Sequence, residues 1–161
     1  MSADAPAVPE AHLIVGFDGS PPAMRALDSA VRLLTVRPGR ILVLWVAHLT
    51  STVELSADAV AIIESDFGKV AEELRASAAE WLDGTGVPWE FQWRQGLIAQ
   101  ELIAEAESLA TAAPDDVAAT ERPDDLVVIV VGSSSSAMHR MVGSVAVNLA
   151  RHSPVPVIIV P

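Results

Sequence analysis

Short apolar segments alternate with longer amphipathic segments five times along the 161-residue chain. Two of the apolar segments, Ile41–Ala47 and Leu126–Val131, are apolar at every position, which is typical of strands covered on both faces. The segments between the apolar runs carry apolar residues at the three-to-four-residue spacing of helices. Strands joined by helices form parallel sheets through right-handed crossovers. The alternation therefore predicts an α/β fold.

Two of the five predicted strands have the features of edge strands. Trp89, Phe91 and Trp93 alternate with polar residues, which predicts one dry and one wet face. The last predicted strand, Val155–Val160, contains Pro156, which cannot donate to a ladder. With the two fully apolar strands inside, we expect a five-stranded parallel sheet of order 3-2-1-4-5, starting from a first strand at Leu13–Phe17, with helices on both faces.

The amphipathic segments predict helices with defined ends. Ser20 is a suitable N-cap and Pro21 a suitable first residue for the first helix, and Pro38-Gly39 is predicted to end it. The last helix is predicted over residues 144–152. The longest helix lies between the second and third strands and ends before Gly84. Its predicted core-facing residues are Val60, Ile63, Phe67, Val70, Leu74 and Trp81.

The length predicts one domain over residues 1–161. Residues 1–11 are expected to form a flexible N-terminus. Residues 111–125 are acidic and interrupted by prolines, and we expect a loop insertion that is either a solvated connection or a docking loop. The chain has no cysteine and no apolar run near the ~20 residues that span a membrane. Without a secretion-signal pattern at its start, we expect a cytoplasmic location.

The charge of the chain restricts its partners. Ten basic and 21 acidic residues give a formal charge of −11 at pH 7, with no cluster of lysines or arginines. Such a surface repels duplex nucleic acid and anionic membranes, so neither is expected as a partner. A small anion can still bind where backbone amides converge.

The predicted strand order gives the position of a ligand site. Ligands of such sheets bind beyond the carboxyl ends of the strands where the winding reverses, here strands 1 and 4. The first of these ends at Gly16-Phe17-Asp18. The carboxylate of Asp18 either accepts hydrogen bonds from a ribose hydroxyl or an adenine amine, or caps its own turn.

The segment after the fourth strand is rich in glycine and serine. It runs from Gly132 to Gly143, and Ser144 opens the last helix. Its amides, hydroxyls and helix N-terminus suit a phosphate, and Arg140 lies within reach along the chain. The alternative is a polar connecting loop.

Motifs of several enzyme classes are absent. The sequence contains neither Gly-x4-Gly-Lys-Ser/Thr nor Gly-x-Ser-x-Gly, which excludes the P-loop and the hydrolase elbow. Its four histidines are scattered without metal-ligand spacing. We therefore predict no catalytic residues and no metal site, and expect that the protein is not an enzyme.

The sequence resembles a universal stress protein domain over nearly its whole length. The matching segments are Ile14–Pro21, Arg25–Leu27, Val128–Ser133, Gly143–Ala146 and Pro154–Val160. The resemblance implies a Rossmann-like fold, similar to that of the adenine nucleotide alpha hydrolases. It also implies a role in stress response and a homodimer formed through the last strand, and some members bind ATP.

The resemblance implies a site for ATP, with any Mg²⁺ arriving on the phosphates. Asp18 and the backbone of Val46 would meet the adenine and ribose, and the residues around Gly132 and Gly143 would meet the phosphates. The nucleotide-binding residues implied in this way are Gly16, Phe17, Asp18, Val46, Gly132, Ser133, Ser135, Arg140, Gly143, Ser144 and Val145.

The phosphate segment departs from the family pattern Gly-x2-Gly-x9-Gly-Ser/Thr. Ser135 stands at the second glycine, Gly132 and Gly143 are 11 positions apart, two fewer than in the pattern, and Ala146 replaces a frequent hydroxyl residue. Two hypotheses follow. The protein is an ATP-binding regulatory domain with at most slow hydrolysis, or it is a dimeric interaction module that binds no nucleotide and uses residues 111–125 to meet a partner.

Overall fold

The computed structural model describes residues 9–48, 56–111, 125–133 and 143–161. Strands and helices alternate along the chain, as the sequence predicts. The strands are β1 (Ala11–Gly16), β2 (Gly39–Ala47), β3 (Trp89–Gln95), β4 (Leu126–Gly132) and β5 (Val157–Val160). The helices are α1 (Pro21–Leu33), α2 (Ala57–Leu82), α3 (Ile98–Thr111) and α4 (Ser144–His152).

The five strands form one sheet of order β3-β2-β1-β4-β5 in which every pair is parallel. This confirms the predicted α/β fold and the predicted strand order. β1 lies at the centre, where Ile14 is paired with Leu42 on one side and Ile129 on the other. The winding of the chain reverses between β1 and β4.

Helices cover both faces of the sheet, and each face has its own apolar core. On one face, Val15 packs in a cluster with Leu27 of α1 and Leu82 of α2. On the other, Ile14 packs in a cluster with Leu102 of α3 and Leu149 of α4. Because successive strand residues point to opposite faces, the two covered faces explain why the central strands are apolar at every position.

The edge strand β3 does not have the fully wet face that its alternation predicts. Arg94 is only half exposed because its Nη2 donates to Glu105 Oε2 of α3 at 3.1 Å and to Gln92 Oε1 at 2.7 Å. On the opposite face, Phe91 and Trp93 are half buried. The alternation predicts the edge position correctly, and α3 covers part of the polar face.

The predicted core-facing stripe of α2 is wrong for half of its members. Val60, Val70 and Trp81 are 40%, 40% and 46% exposed. At 1.5 Å per residue the 26 residues of α2 extend about 39 Å, whereas seven-residue β3 extends only about 23 Å. The helix is therefore longer than the sheet that it covers. Its buried residues, Ala71, Ala78 and Leu82, all lie in its second half.

Several element ends differ from the sequence prediction. β5 begins at Val157 rather than Val155. Pro156 has no amide hydrogen to donate, and its carbonyl alone pairs with β4, where it accepts from the Ile129 amide. α1 ends at Leu33, ahead of the predicted stop at Pro38-Gly39.

The segments predicted to flank or interrupt the domain are described only in part. Ala11, the last residue of the predicted flexible N-terminus, is buried in β1, and Thr111, the first of the predicted loop, is the last residue of α3. Residues 1–8 and 112–124 lie outside the described residues. None of the helices in the described part of the chain is both long and apolar enough to span a membrane.

Candidate functional site

A cleft of about 230 Å³ opens at the carboxyl ends of β1 and β4. This is the place at which the strand order predicts a ligand site. The N-terminal ends of α1 and α4 both reach it. The lining residues are Gly16, Phe17, Asp18, Ser20, Pro22, Ala23, Leu44, Val46, Ile98, Leu102, Val131, Gly132, Gly143, Ser144, Val145 and Ala146.

Asp18 is the one charged side chain on the described wall of the cleft. It is exposed just beyond β1, and its Oδ1 accepts a hydrogen bond from the Ser20 amide at 3.0 Å. This bond forms the local turn that the sequence offers as one interpretation of Asp18. Its other oxygen, Oδ2, makes no hydrogen bond with any described residue. The turn therefore fixes the carboxylate at the cleft and leaves one oxygen available.

Gly132, at the end of β4, is in close backbone contact with the first turn of α1. A Cβ at this position would collide with the carbonyl group of Pro22. At Gly16 a Cβ would lie 3.1 Å from Cγ1 of Val131, which is tighter than ordinary packing. Glycine is therefore needed at position 132, where the obstacle is backbone, whereas at position 16 a Cβ would require only a small shift of the Val131 side chain.

The N-terminus of α1 uses its own hydrogen-bonding groups. Pro21 and Pro22 carry no amide hydrogen. The amide of Ala23 donates to Ser20 Oγ at 3.4 Å, and that of Met24 donates to Ser20 O at 2.9 Å. The bond from Met24 is the first regular helical bond. Of the four amide positions that a helix start leaves unsatisfied, two are prolines, the Ser20 amide donates to Asp18 Oδ1 and the Ala23 amide donates to Ser20 Oγ.

The N-terminus of α4 is open. Its N-cap, Gly143, has no side chain and makes no side-chain capping bond. The first helical bond runs from the Val147 amide to Gly143 O at 3.1 Å, and the amides of Ser144, Val145 and Ala146 have no acceptor among the described residues. These three residues line the cleft. The partial positive charge of a helix start is thus directed at the cleft.

The sequence model of the Universal stress protein family matches residues 11–161. The chain belongs to this family. The matched range begins at the first residue of β1 and includes every strand and helix described above. A search among curated proteins finds no match at a significant level.

Solved structures of universal stress proteins have the same fold. The structure of UspA from Lactobacillus plantarum is 16% identical, with a TM-score of 0.72, and the alignment covers 96% of this chain and 100% of that one. A universal stress protein in complex with cAMP is 21% identical (TM-score 0.60; 94% and 97% covered). An Arabidopsis thaliana family member with AMP bound is 14% identical (TM-score 0.59; 93% and 90% covered). At sequence identities this low, the structural similarity establishes the fold alone.

Most of the residues predicted for the site meet at the cleft of this universal stress protein. Ser133 is described but does not line the cleft, and its amide donates to Val160 O at 2.7 Å instead. Ser135 and Arg140 lie outside the described residues. The eight predicted residues that line the cleft are Gly16, Phe17, Asp18, Val46, Gly132, Gly143, Ser144 and Val145.

Sequence reasoning finds Phe17, Val46 and Val145 but misses the rest of the apolar wall of the cleft. Leu44 and Val131 have the same apolar, buried character as the neighbouring core residues, so composition does not separate them from the core. Ile98 and Leu102 belong to the helical stripe of α3 and have the same ambiguity. For Leu44 a weak signal exists, because it lies two residues before Val46 and so faces the same side of β2.

The cleft combines an apolar wall, one carboxylate and one open helix start. An apolar wall suits a planar base, a carboxylate suits hydroxyl or amine donors, and free amides suit an anion. Among the described residues no group of three or more histidine, cysteine or acidic side chains is arranged to hold a metal ion. The described residues fit a nucleotide in which one end is apolar and the other is anionic.

Proposed function

We propose that the protein is a regulatory domain that binds an adenine nucleotide at the cleft between β1 and β4 in a stress response. ATP is the ligand that the sequence resemblance implies. The observation that carries the proposal is that Asp18 and the open N-terminus of α4 line one cleft at the point where the winding reverses. A cytoplasmic location remains a prediction from the sequence.

Two structural relatives support an adenine nucleotide as the ligand. Their structures contain cAMP and AMP, which share the adenine base and ribose and carry one phosphate. In the present chain, Asp18 Oδ2 would accept hydrogen bonds from the ribose or the base amine. The amides of Ser144, Val145 and Ala146 would donate to phosphate oxygens, while Leu44 and Ile98 would cover the base.

We further propose that the protein binds the nucleotide without hydrolysing it rapidly. Asp18 is the one titratable side chain on the described wall, and its Oδ1 is occupied by the Ser20 amide. General-base catalysis needs a group beside the reacting phosphate, whereas Asp18 is assigned here to the ribose and base. Hydrolysis would be slow at most, and any Mg²⁺ would be held chiefly by the nucleotide phosphates.

Calorimetric titration of nucleotide into wild type and Asp18→Ala tests the site. Freshly purified wild type is also denatured, and the supernatant is analysed for bound adenine nucleotide. We expect Asp18→Ala to weaken binding by at least about tenfold, the effect of one hydrogen bond to a charged group. Asp66→Ala is the matched control, because Asp66 is an exposed carboxylate on α2 paired only with Lys69 among the described residues.

Equal affinities of wild type and Asp18→Ala would contradict the assignment of Asp18. The absence of both bound nucleotide and binding heat at millimolar ATP and AMP would favour the second hypothesis, a nucleotide-free interaction module.

We also propose a homodimer formed through β5. This strand is hydrogen-bonded only to β4 within the sheet, and its residues Val157–Val160 are apolar and half buried. An apolar edge strand with free backbone groups favours pairing with another copy. Light scattering at micromolar concentration should give the mass of two chains, and the mass of one chain would contradict this proposal.

A further inference from the structure

We infer that the chain has a second self-association surface at the outer edge of β3, where the β3 strands of two copies pair antiparallel with Gln92 at their common centre. This edge is distinct from β5, and the inference does not depend on nucleotide binding. It rests on the direction of the backbone groups of β3 and on the positions of its charges.

Alternate residues of β3 direct their backbone groups away from β2. At the two ends of the ladder, the Ile41 amide donates to Pro88 O, and the Gly96 amide donates to Ala47 O. In a regular parallel ladder every second residue of a strand bonds the same neighbour, so the even-numbered residues of β3 bond β2. The residues whose amides and carbonyls point outward are Trp89, Phe91, Trp93 and Gln95.

The outer edge of β3 has the features of a pairing template. Among the described strands, β3 is paired with β2 alone, and its register with β2 is continuous over all seven residues. The outward carbonyl of Trp93 accepts from Arg94 Nη1 at 3.3 Å, a side-chain donor in the place of a strand amide. Regular edges with outward backbone groups favour pairing with another strand.

The charges of β3 favour one register with a second copy. Glu90 and Arg94 lie on the same face of the strand, each two positions from Gln92. In antiparallel pairing about Gln92, Glu90 of each copy lies opposite Arg94 of the other, which gives two attractive pairs. Pairing about Glu90 or about Arg94 would place like charges opposite each other. Charges usually protect an edge strand, whereas these two charges select an antiparallel second copy.

Arg94 can take part without losing its contact inside the chain. Its Nη2 donates to Glu105 Oε2 at 3.1 Å, and its side chain is 42% exposed. A guanidinium has five N–H groups, so Arg94 can keep this bond and still donate to Glu90 of the other copy.

The same register suits the backbone and the aromatic face of β3. It places Phe91 opposite Trp93 of the other copy, and both residues have outward amides and carbonyls, so each such pair can exchange two hydrogen bonds. The pairs of Glu90 with Arg94 are then the non-hydrogen-bonded ones, in which side chains lie closer together. Phe91 and Trp93 are half buried, and aromatic cross-strand pairs stabilise sheets.

We expect this pairing to be weaker than the proposed pairing through β5. The β3 edge carries charged residues, whereas Val157–Val160 are all apolar. A chain that pairs at both edges extends one sheet through successive copies. The average mass of the wild type should therefore rise with concentration beyond the mass of two chains.

Charge reversal tests the register by sedimentation velocity between micromolar and millimolar protein. Glu90→Arg and Arg94→Glu should each weaken the concentration-dependent association at least about tenfold, because each places like charges opposite each other twice. An equimolar mixture of the two variants should recover it, because one copy is then basic and the other acidic at both positions. Glu107→Arg, which makes the same charge change as Glu90→Arg on the exposed surface of α3, is the matched control and should behave like wild type.

Disulfide formation tests the centre of the pairing. The chain has no cysteine, and position 92 would lie opposite itself with a Cα separation of about 4.5 Å, which a disulfide can span. With oxidised glutathione as the oxidant, Gln92→Cys should give a covalent dimer that a reductant cleaves. Gln95→Cys is the matched control and should give little, because its two copies would lie about 20 Å apart.

Three results would overturn the inference: a wild-type mass that does not rise between micromolar and millimolar protein, a mixture of the charge variants that associates no more than either alone, or equal disulfide yields from Gln92→Cys and Gln95→Cys. If circular dichroism shows that Arg94→Glu is unfolded, the disulfide yields decide. None of these results changes the tests of nucleotide binding or of the β5 dimer, which use calorimetry and the mass at micromolar concentration.

Discussion

The starts of α1 and α4 face the same cleft but are built in opposite ways. At α1, Ser20 caps the helix and two prolines follow, so the chain itself satisfies the helix start. At α4, Gly143 provides no side chain, and the amides of the first three helical residues find no acceptor within the part of the chain that the structure describes. Capping with Ser rather than Gly is worth a few tenths of a kcal/mol. The comparison indicates that the N-cap of α1 adds stability, whereas the glycine N-cap of α4 adds less stability and leaves backbone amides able to donate to a ligand.

The largest effect is expected from Gly132→Ala, which would disturb the wall between the two helix starts. The added Cβ collides with the Pro22 carbonyl, and overpacking of this kind typically lowers the free energy of unfolding by about 1–3 kcal/mol. Urea denaturation measures the change. Gly68→Ala in α2 is the control, because a Cβ there meets nothing within 4 Å and Ala is favoured over Gly in a helix by up to about 1 kcal/mol. Equal stabilities of the two variants would contradict the close contact.

Ser20→Ala should have an intermediate effect by removing the cap of α1. Loss of the bond from Ala23 should lower the free energy of unfolding by about 1 kcal/mol, measured by the same denaturation. Nucleotide affinity should change little, because the Ser20 amide that supports Asp18 is retained. A large loss of affinity with unchanged stability would show that the Ser20 hydroxyl serves the ligand instead.

The smallest change in stability is expected from Gly143→Ser, which would make α4 resemble α1. The backbone at this position, with φ −58° and ψ 156°, is accessible to serine. The hydroxyl would cap an amide of the first turn and raise the free energy of unfolding by a few tenths of a kcal/mol. AMP affinity should fall, because that amide is no longer free. If calorimetry shows unchanged affinity, the amides of α4 are not the phosphate donors.

Much of the fold could be predicted from local pattern. The strand order follows from the apolar runs of β2 and β4 and from the edge features of β3 and β5. The position of the cleft then follows from topology, which brings Asp18 and Gly132 together although they are 114 positions apart in the sequence. These predictions succeed because the pattern of a strand depends on its burial: a strand buried on both faces is apolar throughout, and a strand buried on one face alternates between apolar and polar residues.

The remaining features depend on contacts that local pattern does not record. The stripe of α2 shows the right periodicity, yet Val60 and Val70 are exposed, and the first half of this long helix contributes no buried residue. The apolar residues of the cleft, such as Leu102, are indistinguishable from core residues by type. The contrast between α1 and α4 depends on which backbone amides have hydrogen-bond acceptors, and the sequence alone does not show these hydrogen bonds.

The bond from the Ser133 amide to Val160 O joins the first residue after β4 to the outermost strand. Among the described strands, β5 is paired with β4 alone. A partner that paired with its other edge would therefore be separated from Ser133, the residue that follows Gly132, by β5 and one hydrogen bond. If pairing at the edge and occupancy of the cleft influence each other, thermodynamic linkage requires the influence to be mutual and equal in size. Ligand affinity would then vary with protein concentration, and self-association would vary with ligand by the same factor.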